Sequence, residues 1–82
     1  MGKEVTYYNV APETYLYSAP LGDRGSICYG KANEMLTVWA KSNRKVNGKT
    51  HFFCEVVEPP KRKGEIFWVE NIEGIDTGFR KT

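Results

Sequence analysis

The chain has 82 residues, 40% of them hydrophobic and 13% aromatic, with 12 basic and 10 acidic side chains and a net charge of +2. That length makes one domain around one small core, and rings burying roughly 150–250 Å² each rule out intrinsic disorder. So small a net charge speaks against a strong electrostatic footprint for nucleic acid, and no window approaches the roughly 20 apolar residues that span a bilayer.

The opening residues Met1-Gly2-Lys3-Glu4-Val5 hold no apolar h-region, so the sequence predicts no secretory signal and a cytoplasmic location. Period-two patterning and enrichment in β-branched and aromatic residues then place six strand-like runs. The first covers Glu4–Val10 and ends at Ala11-Pro12. The second, Thr14–Ser18, leads through Ala19-Pro20 into the turn Leu21-Gly22-Asp23-Arg24-Gly25. Ser26–Tyr29 follows, then a turn at Lys31-Ala32-Asn33-Glu34. Met35–Lys41 and His51–Val57 flank a basic loop from Asn43 to Gly48. Pro59-Pro60 stops the fifth run and stiffens the turn that reaches Gly64, and Glu65–Val69 is the last run. A tight helical turn is expected around Asn71-Ile72-Glu73, and no stretch has capped helical periodicity.

Successive strand residues point to opposite faces, so the pattern also assigns faces. Leu36, Val38 and Ala40 share one face, and Met35, Thr37 and Trp39 the other. Phe52, Cys54 and Val56 oppose Phe53, Glu55 and Val57, while Phe67 and Val69 oppose Ile66 and Trp68. Leu16 points inward when Tyr15 and Tyr17 point out. A small barrel buries one face only, which leaves Tyr15, Tyr17, Trp39, Phe53 and Trp68 outside. Exposed ring clusters of this kind mark binding surfaces. The competing expectation is that Val5–Val10, with Tyr7 and Tyr8, lies across these rings and covers them.

Residues 14–75 resemble a bacterial-type Src-homology-3 domain. Leu16-Tyr17-Ser18-Ala19-Pro20 is similar to the opening turn of that family, and Ser26-Ile27-Cys28-Tyr29-Gly30 to its second strand. Leu36-Thr37-Val38-Trp39 resembles the middle strand, Phe53-Cys54-Glu55-Val56 the Trp-led strand, and Phe67-Trp68-Val69-Glu70-Asn71-Ile72 the closing element. Ala19 stands where the family has glycine, Phe53 where it has tryptophan, and Phe67 where it has the closing glycine. The resemblance implies an all-β, five- to six-stranded Src-homology-3-like barrel. Residues 1–82 would form a single domain, with 1–13 as an extra N-terminal strand extension. It further implies an aromatic groove between the loop after Tyr17 and the loop before Phe53. Domains of that family commonly bind protein segments or cell-wall peptides.

The expected function is therefore a non-catalytic binding module. Tyr15, Tyr17, Trp39, Phe53 and Trp68 would form the groove, with Asp23 steering a basic or polar ligand segment. A protein or peptide is the expected partner, and a cell-wall peptide is a variant of the same idea. The small size fits a product that a phage or mobile element encodes to capture a host protein. The alternative is single-stranded nucleic-acid binding through two basic loops. One holds Lys41, Arg44, Lys45 and Lys49, the other Lys61, Arg62 and Lys63, and phosphate contacts would combine with stacking on nearby rings.

Catalysis is not expected. Lone His51 leads into a strand, the carboxylates are scattered, and Gly22-Asp23-Arg24-Gly25 is no phosphate-binding loop. Cys28 and Cys54 lie in apolar runs and read as buried thiols, with spacing that fits no metal site. No cofactor is expected.

Overall fold

The computed structural model describes residues 6–71 and 79–81, and these form one antiparallel sheet of seven strands. The strands are β1 (Tyr7–Val10), β2 (Tyr15–Tyr17), β3 (Cys28–Lys31), β4 (Leu36–Val46), β5 (Lys49–Glu58), β6 (Ile66–Asn71) and β7 (Phe79–Lys81). Their spatial order is β3-β2-β6-β5-β4-β1-β7. Among the described residues β3 and β7 are the two edges, so hydrogen bonding does not close the sheet into a barrel. No helix among them is long and apolar enough to cross a membrane.

The longest pairing is the β4–β5 hairpin. Asn47 and Gly48 both have positive φ, 53° and 79°, which is the geometry a two-residue turn needs to match the twist of its flanking strands. The expected basic loop from Asn43 to Gly48 is therefore mostly strand: Asn43, Arg44, Lys45 and Val46 pair with Phe52, His51, Thr50 and Lys49. Its polar composition masked an Asn-Gly hairpin signal. Pro60–Arg62 forms a single 3₁₀ turn that the sequence did not suggest. Of the turn expected around Asn71-Ile72-Glu73, Asn71 ends β6, and residues 72 and 73 lie outside the described residues.

One core accounts for the burial. Val10, Leu16, Leu36, Val38, Cys54, Val56, Phe67, Val69 and Phe79 form a single cluster, drawn from every strand except β3. With no second layer to cover it, a lone sheet shields one face only by curling around it. At the β7 side, the Tyr8 and Phe79 rings stack at 4.3 Å between centroids, and Phe52 lies 5.5 and 5.1 Å from them. The sequence did not suggest β7, since three residues with one ring carry no readable period.

The two thiols differ. Cys54 is buried, and desolvation pushes its pKa from the ordinary 9.0 up to about 12. Cys28, expected to be buried, is exposed instead. It lies opposite Tyr17 on the edge strand, on the face turned away from the core.

Three outcomes follow from this packing. Phe79→Ala lowers unfolding stability by about 3–5 kcal/mol in urea titration, because a stacked core ring is lost. At pH 8 a thiol reagent modifies Cys28 in the native protein and reaches Cys54 only on unfolding. Cys54 keeps its proton in the fold at a pH where the unfolded thiol has lost it. Its contribution is thus complete below pH 9 and declines as pH rises toward about 12. Cys54→Val removes that part of the alkaline loss.

Candidate functional site: the aromatic outer face

The same alternation that sends Leu16, Phe67, Cys54 and Val38 inward sends Tyr17, Trp68, Phe53 and Trp39 outward. Register then decides which of these become neighbours. Tyr17 lies opposite Trp68, Trp68 opposite Phe53, and Phe53 opposite Ser42. This makes one row of side chains across β2, β6, β5 and β4, strands set about 4.8 Å apart. The next row runs Ile66, Glu55, Trp39 and Tyr7 across β6, β5, β4 and β1.

Phe53 and Trp68 touch, with centroids 5.3 Å apart and planes tilted by 39°. Both are half-buried, as is Tyr17, whereas Tyr15 is 48% and Trp39 37% exposed. Tyr15 stands farther along β2 opposite Lys31, whose Nζ lies 5.8 Å from its ring centroid. Desolvation, aided by the negative charges of Cys28, Glu70 and Tyr15, raises the Tyr17 pKa. Its phenol is therefore protonated at neutral pH and remains a hydrogen-bond donor.

Among the described residues, the N-terminal strand does not lie across the rings. Residues 7–10 pair edge to edge with β4, in the register Tyr7 to Trp39, and Ala40 N–H donates to the Thr6 carbonyl at 3.2 Å. Tyr8 packs on the core side, while Tyr7 joins the outer face beside Trp39. Val5 lies outside the described residues. A strand with apolar residues on both faces could cover a sheet or extend one, and backbone pairing with β4 took precedence.

Five of the six residues expected to contact ligand thus share one face. Asp23 does not join the rings. It belongs to the loop of residues 18–27, which reaches the tip of the β4–β5 hairpin, where its carboxylate accepts from Arg44 Nη1 at 2.9 Å. Gly22 makes that approach possible. Its φ is +101°, and a Cβ there would stand 2.7 Å from Asn47 Nδ2 and 3.0 Å from Val46 Cγ1. On the same face as Phe53, opposite Glu70, His51 is fully buried, with Nδ1 3.1 Å from the Lys49 carbonyl.

The basic residues form two groups, one along the β4–β5 hairpin from Lys41 beside Phe53 to the turn, the other on the 3₁₀ turn that follows β5. Lys41, Arg44 and Lys49 pair with Glu55, Asp23 and Glu70 at 3.1, 2.9 and 3.4 Å. In the second group, Lys61 pairs with Glu34, and Arg62 with both Glu34 and Glu65. Arg62 Nη1 also donates to the Ala32 carbonyl at 2.7 Å, tying the 3₁₀ turn to the segment before β4. The hydrogen bond to Glu65 is the main cause of its raised pKa. Lys45 and Lys63 are exposed.

Two side chains beside the rings were not among the expected groove residues. Glu55 stands on the face with Phe53, where alternation placed it. Lys41 was assigned to the basic loop because a bulge cannot be read from period two. The register steps from Ala40–Cys54 to Ser42–Phe53, so Lys41 is an extra residue inserted beside Phe53.

No family model matches the chain, and neither does any curated protein or solved structure.

The Phe53–Trp68 contact is measurable on its own. A double-mutant cycle with Phe53→Ala and Trp68→Ala, read by urea unfolding, returns a coupling energy of about 0.5–1.5 kcal/mol. Gly22→Ala lowers stability by about 1 kcal/mol, since the φ of +101° is one that L side chains rarely adopt and Val46 Cγ1 would stand 3.0 Å from the new Cβ.

Proposed function

We propose that this chain is a non-catalytic binding module, a Src-homology-3-like curled sheet whose outer aromatic face docks an extended segment of a partner protein. The observation that carries this reading is the ring cluster itself. Tyr17, Trp68 and Phe53 lie side by side across three strands, with Trp39 in the adjacent row. Covering rings on a rigid sheet buries much apolar area for little lost rotamer freedom, which suits a small interface. The loop of residues 18–27 bounds one end of this face, and Tyr7 borders another.

Nucleic-acid binding fits this arrangement less well. The two basic groups sit on different elements, the β4–β5 hairpin and the 3₁₀ turn, and five of their seven side chains are ion-paired within the chain. A phosphate backbone would have to break those pairs before it gained contacts.

The test is a peptide array probed with the labelled protein, followed by titration of the peptides it selects. Trp39→Ala and Phe53→Ala, each checked for retained folding, weaken binding by about tenfold or more, as hot-spot rings do. Lys45→Glu combined with Lys63→Glu changes it by less than about twofold, and added salt has little effect, because rim charges contribute little. The opposite pattern, with charge reversals dominant and a steep salt slope, would sink the proposal.

A further inference from the structure

The corner of the outer face where β4 meets β5 holds a cation in a defined setting. Lys41 Nζ lies 5.3 Å from the Trp39 ring centroid, 5.9 Å from that of Phe53, and 3.1 Å from Glu55 Oε1. Two π-systems and a carboxylate therefore converge on one ammonium. We infer that Trp39, Phe53 and Glu55 form a recognition site for a lysine or arginine side chain of the partner segment, with Lys41 as a resident surrogate that the incoming cation displaces. This rests on the reading of the aromatic face as the docking surface, and it names the chemistry that face selects.

Three features support exchange over a fixed structural pair. Lys41 enters the corner through a bulge, an extra residue in β4 between the pairs Ala40–Cys54 and Ser42–Phe53, so it has no partner opposite it in the ladder. Its side chain is 37% exposed and that of Glu55 35%, so both are reachable from solvent. An exposed lysine pair on a flexible stem has little net worth, so releasing it costs little.

Charge then dictates what can replace it. With Lys41 swung away, the corner is two ring faces beside an unpaired carboxylate. A neutral or acidic group would leave Glu55 uncompensated, whereas an ammonium or guanidinium restores the contacts that Lys41 made. The neighbouring rings Trp68 and Tyr17 continue away from the corner and would receive apolar residues next to that cation.

The defining experiment uses n-butylammonium as probe and n-butanol as its neutral counterpart, followed through the Trp39 and Trp68 indole N–H signals by NMR. Lys41→Ala, with folding verified by an unchanged dispersion of backbone signals, gives a saturable shift at Trp39 with butylammonium. Its affinity exceeds that of the native chain by about tenfold, the effect of removing a tethered competitor. Adding Glu55→Gln abolishes the gain, and butanol produces no comparable shift. Absence of a saturable shift in Lys41→Ala, or equal shifts with the alcohol, overturns the inference. The peptides selected on the array separate the two levels. Binding that needs Trp39 and Phe53 but involves no basic residue, and gains nothing from Lys41→Ala, leaves the docking face standing and refutes the cation site. Binding indifferent to Trp39 and Phe53 refutes both.

Discussion

The β4–β5 hairpin sets most of this molecule. Its Asn47-Gly48 turn adopts two consecutive positive φ values, and the register it imposes decides which residues face the core along two long strands. A slip of one position would move a whole set of side chains to the wrong face. Val38 and Ala40 stand opposite Val56 and Cys54 on the inside, and Trp39 opposite Glu55 on the outside. β1 adds to the free side of β4, and β6 to the free side of β5. The core and the aromatic face are thus the two sides of one pairing.

That pairing departs from regularity twice, at Val57, which is extra on β5 between Thr37–Glu58 and Val38–Val56, and at the bulge of Lys41. Beyond it, Ser42, Arg44 and Val46 take the outward side, opposite Phe53, His51 and Lys49. Arg44 can then reach Asp23, and Val46 and Asn47 meet Gly22. A single inserted residue thereby connects the loop of residues 18–27 to the hairpin tip and places an ammonium among rings. Bulges of this kind commonly re-aim side chains near functional surfaces.

Electrostatics here is chiefly internal. The outer-face acids Glu55 and Glu70 and the loop acid Asp23 each hold a cation from β4 or β5, and Arg62 bridges two carboxylates and a backbone carbonyl. A near-neutral chain that pairs its own charges has rings, not a strong field, as the chief feature of its outer face.

Much of this was legible in the sequence, because it depends on period two and on turn chemistry. Alternation alone separated Leu16, Phe67 and Cys54 from Tyr17, Trp68 and Phe53, and apolar runs marked strands in all but the last element. Other features depended on contacts between distant segments. That Tyr7–Val10 extends the sheet was settled by its pairing with β4. The strand Phe79–Lys81 exists because Phe79 finds Tyr8, and Cys28 is exposed because β3 lies at an edge. Asp23 and Arg44 meet across 21 positions of chain, and the bulge at Lys41 appears only when two strands are laid side by side. The sequence by itself determined the all-β character and the two faces, since these follow from backbone geometry residue by residue. Which rings became neighbours, and which cation sat among them, was decided by register between strands, a property of the packed sheet that no single strand carries.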